Sequence, residues 1–200
     1  MRRSIQAAAI LALAASPAWA DCPAPGALEQ GIAVTAADGT VETFKQIAPG
    51  RVENTTNVGE DEGSYYILAQ GIYLRALTDM ENGALKPASM TTYNYPLEDA
   101  QMPRPVAQGI WQVEVAILEG GNISTELHDI RFGAETRMTI GACGYNMIPV
   151  SIRVEEDGET SFEETLYYLP ELGFAIYGAY AEPEKETELY TYKSIGMMQD

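Results

Sequence analysis

Histidine and cysteine are the residue types in this chain best suited to catalysis, and both are scarce. The 200-residue sequence contains one histidine, His128, and two cysteines, Cys22 and Cys143. A catalytic thiol needs a nearby base, and His128 is the only histidine that could serve. No Gly-x-Ser-x-Gly nucleophile motif occurs. We therefore expect His128 to be a structural residue rather than a general base, on one strand face with Glu126 and Ile130.

Carboxylates are abundant, but their spacing predicts neither an acid–base pair nor a metal site. The 29 Asp and Glu residues include the adjacent pairs Glu155-Glu156 and Glu163-Glu164. Neighbouring residues of a strand point to opposite faces, so neither pair can share one site. The contiguous acids at 60–62 lack the alternating oxygen ligands of a calcium loop. We expect no catalytic residue, no metal and no cofactor. The alternative is a hydrolase whose paired carboxylates face each other across a cleft.

Tyrosine is the residue type that favours a binding surface. The chain has 12 tyrosines, and a tyrosine ring packs against apolar groups while its hydroxyl stays hydrated. The candidates for one face are Tyr73, Tyr93, Tyr95, Tyr168, Tyr177, Tyr180, Tyr190 and Tyr192. We predict that Tyr73, Tyr168, Tyr177 and Tyr180, together with Trp111, form a ligand or partner face. Ordinary sheet packing is the alternative, because tyrosine is also a good strand former.

The first twenty residues have the pattern of a cleaved signal peptide. Residues 1–3 are basic, residues 5–15 are apolar, and Ala18-Trp19-Ala20 fits the small-x-small cleavage rule. The apolar run is shorter than the ~20 residues that span a bilayer. We expect cleavage near Ala20, a periplasmic or secreted product, and no integral membrane segment in the mature chain. Lipid attachment at Cys22 is not expected, because Asp21 replaces the small residue of a lipobox.

If the chain is exported, its two cysteines are expected to form a disulfide. In an oxidising compartment a small, even number of cysteines usually forms disulfides. A bond between Cys22 and Cys143 would tie the mature N-terminus to the C-terminal part of the chain. The long loop that it closes predicts a stabilisation of about 4 to 5 kcal/mol.

The charge of the chain restricts its partners. The formal net charge is −17, and removal of Arg2 and Arg3 makes it more negative. Such a field repels nucleic acids and anionic membrane surfaces. We therefore exclude nucleic acid as a partner and expect an envelope protein or an apolar small molecule instead.

Strand periodicity dominates the rest of the sequence. Apolar residues alternate with polar ones over 148–154 and again over 111–117, which places each apolar set on one sheet face. Asp38-Gly39 and Asp157-Gly158 lie between strand-like runs and predict hairpin turns. We expect 64–78 to be one strand with a bend or bulge at Gly71, with a helix as the main alternative. Gly141 and Gly144 flank Cys143 and indicate a bulge or a close approach that lets the sulfur reach its partner.

These patterns predict an all-β fold. About ten short strands with Gly and Pro turns indicate a single antiparallel sandwich or a strongly curved sheet, preceded by the cleaved signal peptide. Residues 21–200 are long enough for one β-rich domain. Its halves, 21–95 and 110–200, would be joined by a Pro-rich loop.

The segment Tyr167-Tyr168-Leu169-Pro170-Glu171-Leu172-Gly173 resembles a stretch found in secreted bacterial β-sheet families of unknown function. Some of those families are similar to periplasmic lipoprotein carriers. The resemblance implies a curved antiparallel sheet with an apolar concave face and brings no catalytic residues with it.

Together these observations favour a non-enzymatic, exported binding protein for an apolar ligand or an envelope protein partner. The alternative is the hydrolase, acting on an envelope polymer through paired carboxylates.

Overall fold

The computed structural model describes residues 22–58 and 62–198. The predicted signal peptide, with its cleavage site near Ala20, lies outside the described residues. So do residues 59–61 of the acidic turn and the last two residues.

Strands and turns make up nearly all of the described chain. The described residues form fifteen strands, three short 3-10 helices and no α-helix. The strands are β1 Ile32–Ala36, β2 Val41–Ala48, β3 Arg51–Val58, β4 Glu62–Ala69, β5 Tyr73–Glu81, β6 Ala84–Leu85, β7 Thr91–Asn94, β8 Ile110–Glu119, β9 Asn122–Phe132, β10 Thr136–Ile140, β11 Cys143–Glu156, β12 Glu159–Leu169, β13 Phe174–Ala181, β14 Glu188–Leu189 and β15 Tyr192–Met197. The 3-10 helices are Ala27–Glu29, Pro87–Ser89 and Asp99–Gln101.

All fifteen strands belong to one sheet, and every pairing in it is antiparallel. The order is β14-β13-β12-β11-β9-β8-β7-β5-β4-β3-β2-β1-β15, with β10 paired to β11 and β6 paired to β5 off this path. The order has two ends, β14 and β15, so the sheet does not close into a barrel. The all-β prediction is confirmed, with more strands than the ten expected because several are only two to five residues long.

The sheet curves strongly enough to bring strands from opposite ends of this order together. Phe44 of β2 and Phe174 of β13 stack their rings with centroids 4.2 Å apart. The backbone N–H of Ala175 donates a hydrogen bond of 2.9 Å to the carbonyl of Gly71 in the β4–β5 turn. The concave face of the sheet therefore encloses the space between these strands.

The predicted alternation and the predicted hairpins are present. Ile148, Val150, Ile152 and Val154 of β11 are all buried in one apolar cluster. The β11–β12 turn contains Asp157-Gly158, with φ of 52° and 83°. Two positive φ angles match the twist of a two-residue hairpin, which explains why Asp-Gly predicted this turn.

Two of the predicted local features are different in the structure. Residues 64–78 form a hairpin rather than one bent strand, since β4 and β5 pair from Ala69 with Tyr73 outward. Residues 141–142 form a turn rather than a bulge, and Ile140 pairs with Cys143 across it. The alternative, a close approach, is present, since a Cβ on Gly141 would lie 2.8 Å from the Lys193 carbonyl oxygen. Both turns are only two or three residues long and lack the Asp-Gly or Asn-Gly pair that marks a hairpin, so the flanking apolar runs look continuous in the sequence.

The core consists of two apolar clusters that meet along β12. Leu166 belongs to the cluster on the concave face, and Tyr168 packs against that cluster. Leu169 belongs to a second cluster, which also contains Phe44 and Phe174. Alternate residues of a strand point to opposite faces, so β12 is covered by apolar side chains on both sides here.

The N-terminal segment is attached to β11 by a covalent bond. Cys22 and Cys143 form the predicted disulfide, with their Cα atoms 5.6 Å apart. The Tyr145 hydroxyl also donates a hydrogen bond of 3.1 Å to the Pro23 carbonyl. These contacts hold residues 22–31 against the second cluster, where Leu28 is buried.

The predicted Pro-rich connection is anchored to the sheet by Asp99. Arg51 Nε donates a hydrogen bond of 2.6 Å to Asp99 Oδ2, and Arg75 Nε lies 3.0 Å from Oδ1. The Arg75 N–H is not directed at Oδ1, so this second contact is an ion pair without a hydrogen bond. Tyr73 hydroxyl donates to the Pro103 carbonyl at 2.8 Å. The connection therefore covers one side of the curved sheet.

Candidate functional site

The concave face of the sheet contains a cavity of about 360 Å³. Its lining comes from β2, β3, β4, β5, β7, β9, β11, β12 and β13, so the curvature of the whole sheet creates it. Most of the lining is apolar: Phe44, Leu68, Ile72, Leu74, Leu77, Ile152, Val154, Phe162, Leu166 and Ala175. Apolar walls with a few polar groups are typical of small-molecule sites.

Tyrosines contribute a large share of the remaining lining. They are Tyr66, Tyr73, Tyr93, Tyr95, Tyr177 and Tyr180. Of the predicted face, Tyr73, Tyr177 and Tyr180 therefore border one cavity. Trp111 lies behind this wall, 5.0 Å from the Tyr73 ring and 5.7 Å from the Tyr95 ring.

Tyr168 is the predicted face residue that lies elsewhere. It packs against the concave-face cluster but lines a separate depression of about 300 Å³ with Arg51 and Arg104. The structure therefore brings Tyr73, Tyr177 and Tyr180 together and does not bring Tyr168 to the same cavity. The role of these residues in binding stays a prediction.

One end of the cavity is closed by two turns. Gly71 of the β4–β5 turn and Ala175 of β13 both line it and share a backbone hydrogen bond of 2.9 Å. Gly71 has φ of 69°, and a Cβ added there would overlap the carbonyl oxygen of Gly173. Because no side chain stands between the turns, their backbones come close enough to seal this apolar end.

The other end is acidic and adjoins a depression that is open to solvent. Glu42, Tyr66, Glu164, Tyr177 and Tyr180 line both the cavity and this depression of about 320 Å³. The rest of the depression includes exposed acidic residues of the β1–β2 turn and β14. The cavity therefore has a polar mouth and an apolar inner end.

Glu164 is the main polar group inside this mouth. Its carboxylate accepts a hydrogen bond of 3.2 Å from the Tyr177 hydroxyl. Burial raises the pKa of Glu164 to about 7, against the lowering effect of that hydrogen bond, and the charge of Glu126 raises it further. The side chain is half-buried because it borders the cavity. Glu164 can therefore gain or lose a proton near neutral pH.

Glu42 is a second buried carboxylate at the same mouth. It is 8% exposed and accepts a hydrogen bond of 3.2 Å from the Tyr192 hydroxyl of β15. Burial raises its pKa, the Tyr192 hydrogen bond lowers it, and the Asp38 charge raises it. Two carboxylates with raised pKa thus line one cavity.

His128 forms a short hydrogen-bonded chain in the wall. Its Nε2 lies 2.8 Å from Glu126 Oε2 and its Nδ1 lies 3.4 Å from the Tyr95 hydroxyl. An ionised carboxylate only accepts hydrogen bonds, so Nε2 carries a proton. In a neutral imidazole, Nδ1 then accepts from Tyr95. His128 is 6% exposed and borders the cavity, and both of its ring nitrogens have a hydrogen-bond partner. Its structural role stays a prediction.

The sequence reasoning missed Glu42, Glu164 and Tyr66. It correctly placed Glu163 and Glu164 on opposite faces. Glu163 does not line the cavity, and its Oε1 lies 2.7 Å from Arg153 Nε. The available signal was the position of Glu164 in the same alternating phase as Phe162 and Leu166. A lone acid in an apolar phase marks a carboxylate that faces the core.

Two further observations describe the chemistry of the described chain. Within residues 22–58 and 62–198, no three or more His, Cys, Asp or Glu side chains are grouped to hold a metal ion. Over the same residues, no helix has the length and apolar character needed to span a membrane.

Comparison with solved structures finds similarity over most of the chain, and two of the matches are described here. The crystal structure of the hypothetical lipoprotein YmcC from Escherichia coli matches with 10% identity and a TM-score of 0.46, covering 82% of this chain and 83% of that chain. A candidate exported protein with a YmcC-like fold from Bacteroides fragilis matches with 13% identity and a TM-score of 0.37, covering 84% and 95%.

No family model matches the sequence, and no curated protein sequence matches it either.

Proposed function

We propose that this protein is an exported, non-enzymatic binding protein that holds an apolar ligand in the concave cavity. The cavity carries the proposal, because its apolar and tyrosine lining would exclude water from a ligand of matching shape. A small molecule is favoured over a protein partner, since Tyr73 borders the cavity and is only 1% exposed, too little to form an outer contact surface. Export is supported by the signal-peptide pattern of residues 1–20 and by the Cys22–Cys143 disulfide.

Dye binding to the mature protein tests this proposal. The neutral apolar dye phenylnaphthylamine is expected to bind saturably and to gain fluorescence as it leaves water. Trp111 is the only tryptophan after residue 20, and it packs on two tyrosines of the cavity wall. Its emission should therefore change together with the dye signal.

A matched pair of variants locates the binding site. Ala175→Phe adds a ring at the inner end of the cavity, whereas Ala134→Phe adds the same ring at an exposed turn position. We expect Ala175→Phe to weaken dye binding by at least about tenfold and Ala134→Phe to leave it unchanged. A folded Ala175→Phe protein with unchanged dye affinity would overturn the assignment of this cavity.

The hydrolase alternative predicts a different result. Glu42 and Glu164 line one cavity, and burial raises the pKa of both carboxyl groups. A glycosidase instead needs one ionised carboxylate beside one that is protonated, so shifts in the same direction do not favour this chemistry. The test is turnover of glycan, ester or peptide substrates by the purified protein and by Glu164→Gln. Turnover by the wild type that is abolished in the variant would show that the function is hydrolysis rather than binding.

A further inference from the structure

The cavity is strongly asymmetric along its length. Its inner end is closed by the Gly71 and Ala175 backbones and lined by aliphatic side chains such as Ile72 and Leu166. Its mouth holds Glu42 and Glu164 beside the solvent-exposed depression. A ligand that satisfies both ends must itself have an apolar part and a polar head.

The charge at the mouth is not balanced by a basic side chain of the described residues. Glu42 and Glu164 accept hydrogen bonds from tyrosine hydroxyls, and among residues 22–58 and 62–198 neither forms an ion pair with Lys, Arg or His. Two side chains of the described residues that could carry positive charge already have acidic partners: His128 is hydrogen-bonded to Glu126, and Arg75 pairs with Asp99. A buried carboxylate without a cation is costly, and a cationic ligand would remove that cost.

The aromatic groups around the two acids suit the same kind of head group. Tyr66, Tyr177 and Tyr180 line the mouth together with Glu42 and Glu164. Tyrosine rings attract ammonium groups through their negative faces, and this attraction strengthens when the site excludes water. Carboxylates and tyrosine rings therefore favour the same ligand charge.

We propose that the ligand is a cationic amphiphile, whose amine lies between Glu42 and Glu164 and whose apolar part occupies the inner end. This proposal rests on the proposed function, because it names the class of ligand for the same cavity. It identifies the ligand by its head group, a primary or substituted amine, and by an alkyl or similar apolar body.

Three ligands with one tail and different heads test the proposal. Decylamine, decanol and decanoate are titrated against the dye-loaded mature protein at about pH 8, where Glu164, with its pKa raised to about 7, is mostly ionised. We expect decylamine to displace the dye at concentrations at least about tenfold lower than decanol does. Decanoate should be the weakest of the three, because it brings a second anion to an acidic mouth.

Substitutions on adjacent positions of β12 isolate the charge effect. Glu164→Gln removes the charge at the mouth, and Glu163→Gln removes a charge on the opposite face of the same strand. Glu164→Gln and Glu42→Gln should each reduce the preference for decylamine over decanol, measured as the ratio of the two displacement concentrations in the same variant. Glu163→Gln should keep the full preference.

The outcomes separate this inference from the proposed function. If decanol and decylamine displace the dye equally in the wild-type protein, or decanoate displaces it best, the amine assignment is wrong while the cavity remains a binding site. If the dye and all three ligands fail to bind, the proposed function fails with it. A preference for decylamine that survives both Glu42→Gln and Glu164→Gln would also overturn the inference.

Discussion

The backbone N–H of Ala175 donates a hydrogen bond of 2.9 Å to the carbonyl oxygen of Gly71, and this bond joins the β4–β5 turn to the start of β13, which lies in a distant part of the sheet order. It seals the inner end of the cavity and fixes the curvature there. Because Gly71 has a positive φ and no room for a Cβ, the closure depends on the absence of a side chain at this position.

Gly71→Ala is therefore expected to lower the free energy of unfolding by about 2 kcal/mol or more, through a strained backbone angle and an overlap with Gly173. Gly83→Ala is the control, since Gly83 has a similar φ of 73° but nothing within 4 Å of an added Cβ. Urea unfolding of both variants measures the difference. Equal destabilisation of the two would show that the contact between the turns contributes nothing.

The disulfide should contribute a large part of the stability. Cys22 and Cys143 are 121 residues apart in sequence, and cross-linking a loop of this length restricts the unfolded chain. Replacing both cysteines with serine is expected to lower the free energy of unfolding by about 3 to 5 kcal/mol. The double substitution leaves no unpaired thiol. Identical urea midpoints for the oxidised wild type and the double variant would contradict this prediction.

Glu164 should make the stability of the ligand-free protein depend on pH. Its folded pKa, about 7, lies above the usual value of 4.5, so between these values the folded state holds a proton that the unfolded state has lost. Stability is then fully present below about pH 4.5 and is lost as the pH rises through about 7, by on the order of 1 to 3 kcal/mol. The groups around this carboxyl are Tyr177, Glu126, Tyr66 and Glu42. Burial also raises the pKa of Glu42, so this residue lowers the stability in the same direction as the pH rises.

Melting temperatures at about pH 5 and about pH 8 measure this effect. Glu164→Gln should reduce the difference between the two temperatures, and Glu163→Gln should preserve it. A wild-type protein that becomes more stable between these two pH values would show that the proton on Glu164 is not retained in the fold.

Asp99 should be the most sensitive acidic residue outside the cavity. It is 7% exposed and faces both Arg51 and Arg75, so Asp99→Asn leaves two arginines without their shared anion. We expect a loss of about 2 to 4 kcal/mol. Asp129→Asn, which breaks an exposed pair with Arg131, should cost less than about 1 kcal/mol. Similar losses in the two variants would mean that Asp99 does not anchor the connection.

Local patterns were sufficient for much of the fold. The alternating apolar residues of β11 and the Asp157-Gly158 turn were predicted because they depend on a two-residue period and on short-range backbone geometry. The β4–β5 hairpin was not, because Gln70-Gly71-Ile72 lacks the Asp-Gly or Asn-Gly pair that marks a two-residue turn, and apolar residues lie close on both sides of it. Gln70 itself has φ of 51°, a left-handed conformation that a glutamine in the sequence does not predict.

The candidate site was predictable only in part, for the same reason. Tyr73, Tyr177 and Tyr180 were chosen by residue type, and they border one cavity. Glu42 and Glu164 could not be paired in advance, since β2 and β12 are neither neighbours in sequence nor adjacent in the sheet. Their proximity to one mouth depends on how far the sheet curves.

The sequence by itself determined the all-β class, the alternating strands such as β11, the Asp-Gly hairpins, the acidic charge and the pairing of the two cysteines, because those features follow from neighbouring residues or from a count of two thiols. The tertiary structure alone decided that the sheet bends until β2 approaches β13. That bend depends on contacts such as Phe44 with Phe174 and Gly71 with Ala175, which form only when the whole chain folds. It is also what turns separate tyrosines and carboxylates into the wall and the mouth of one cavity.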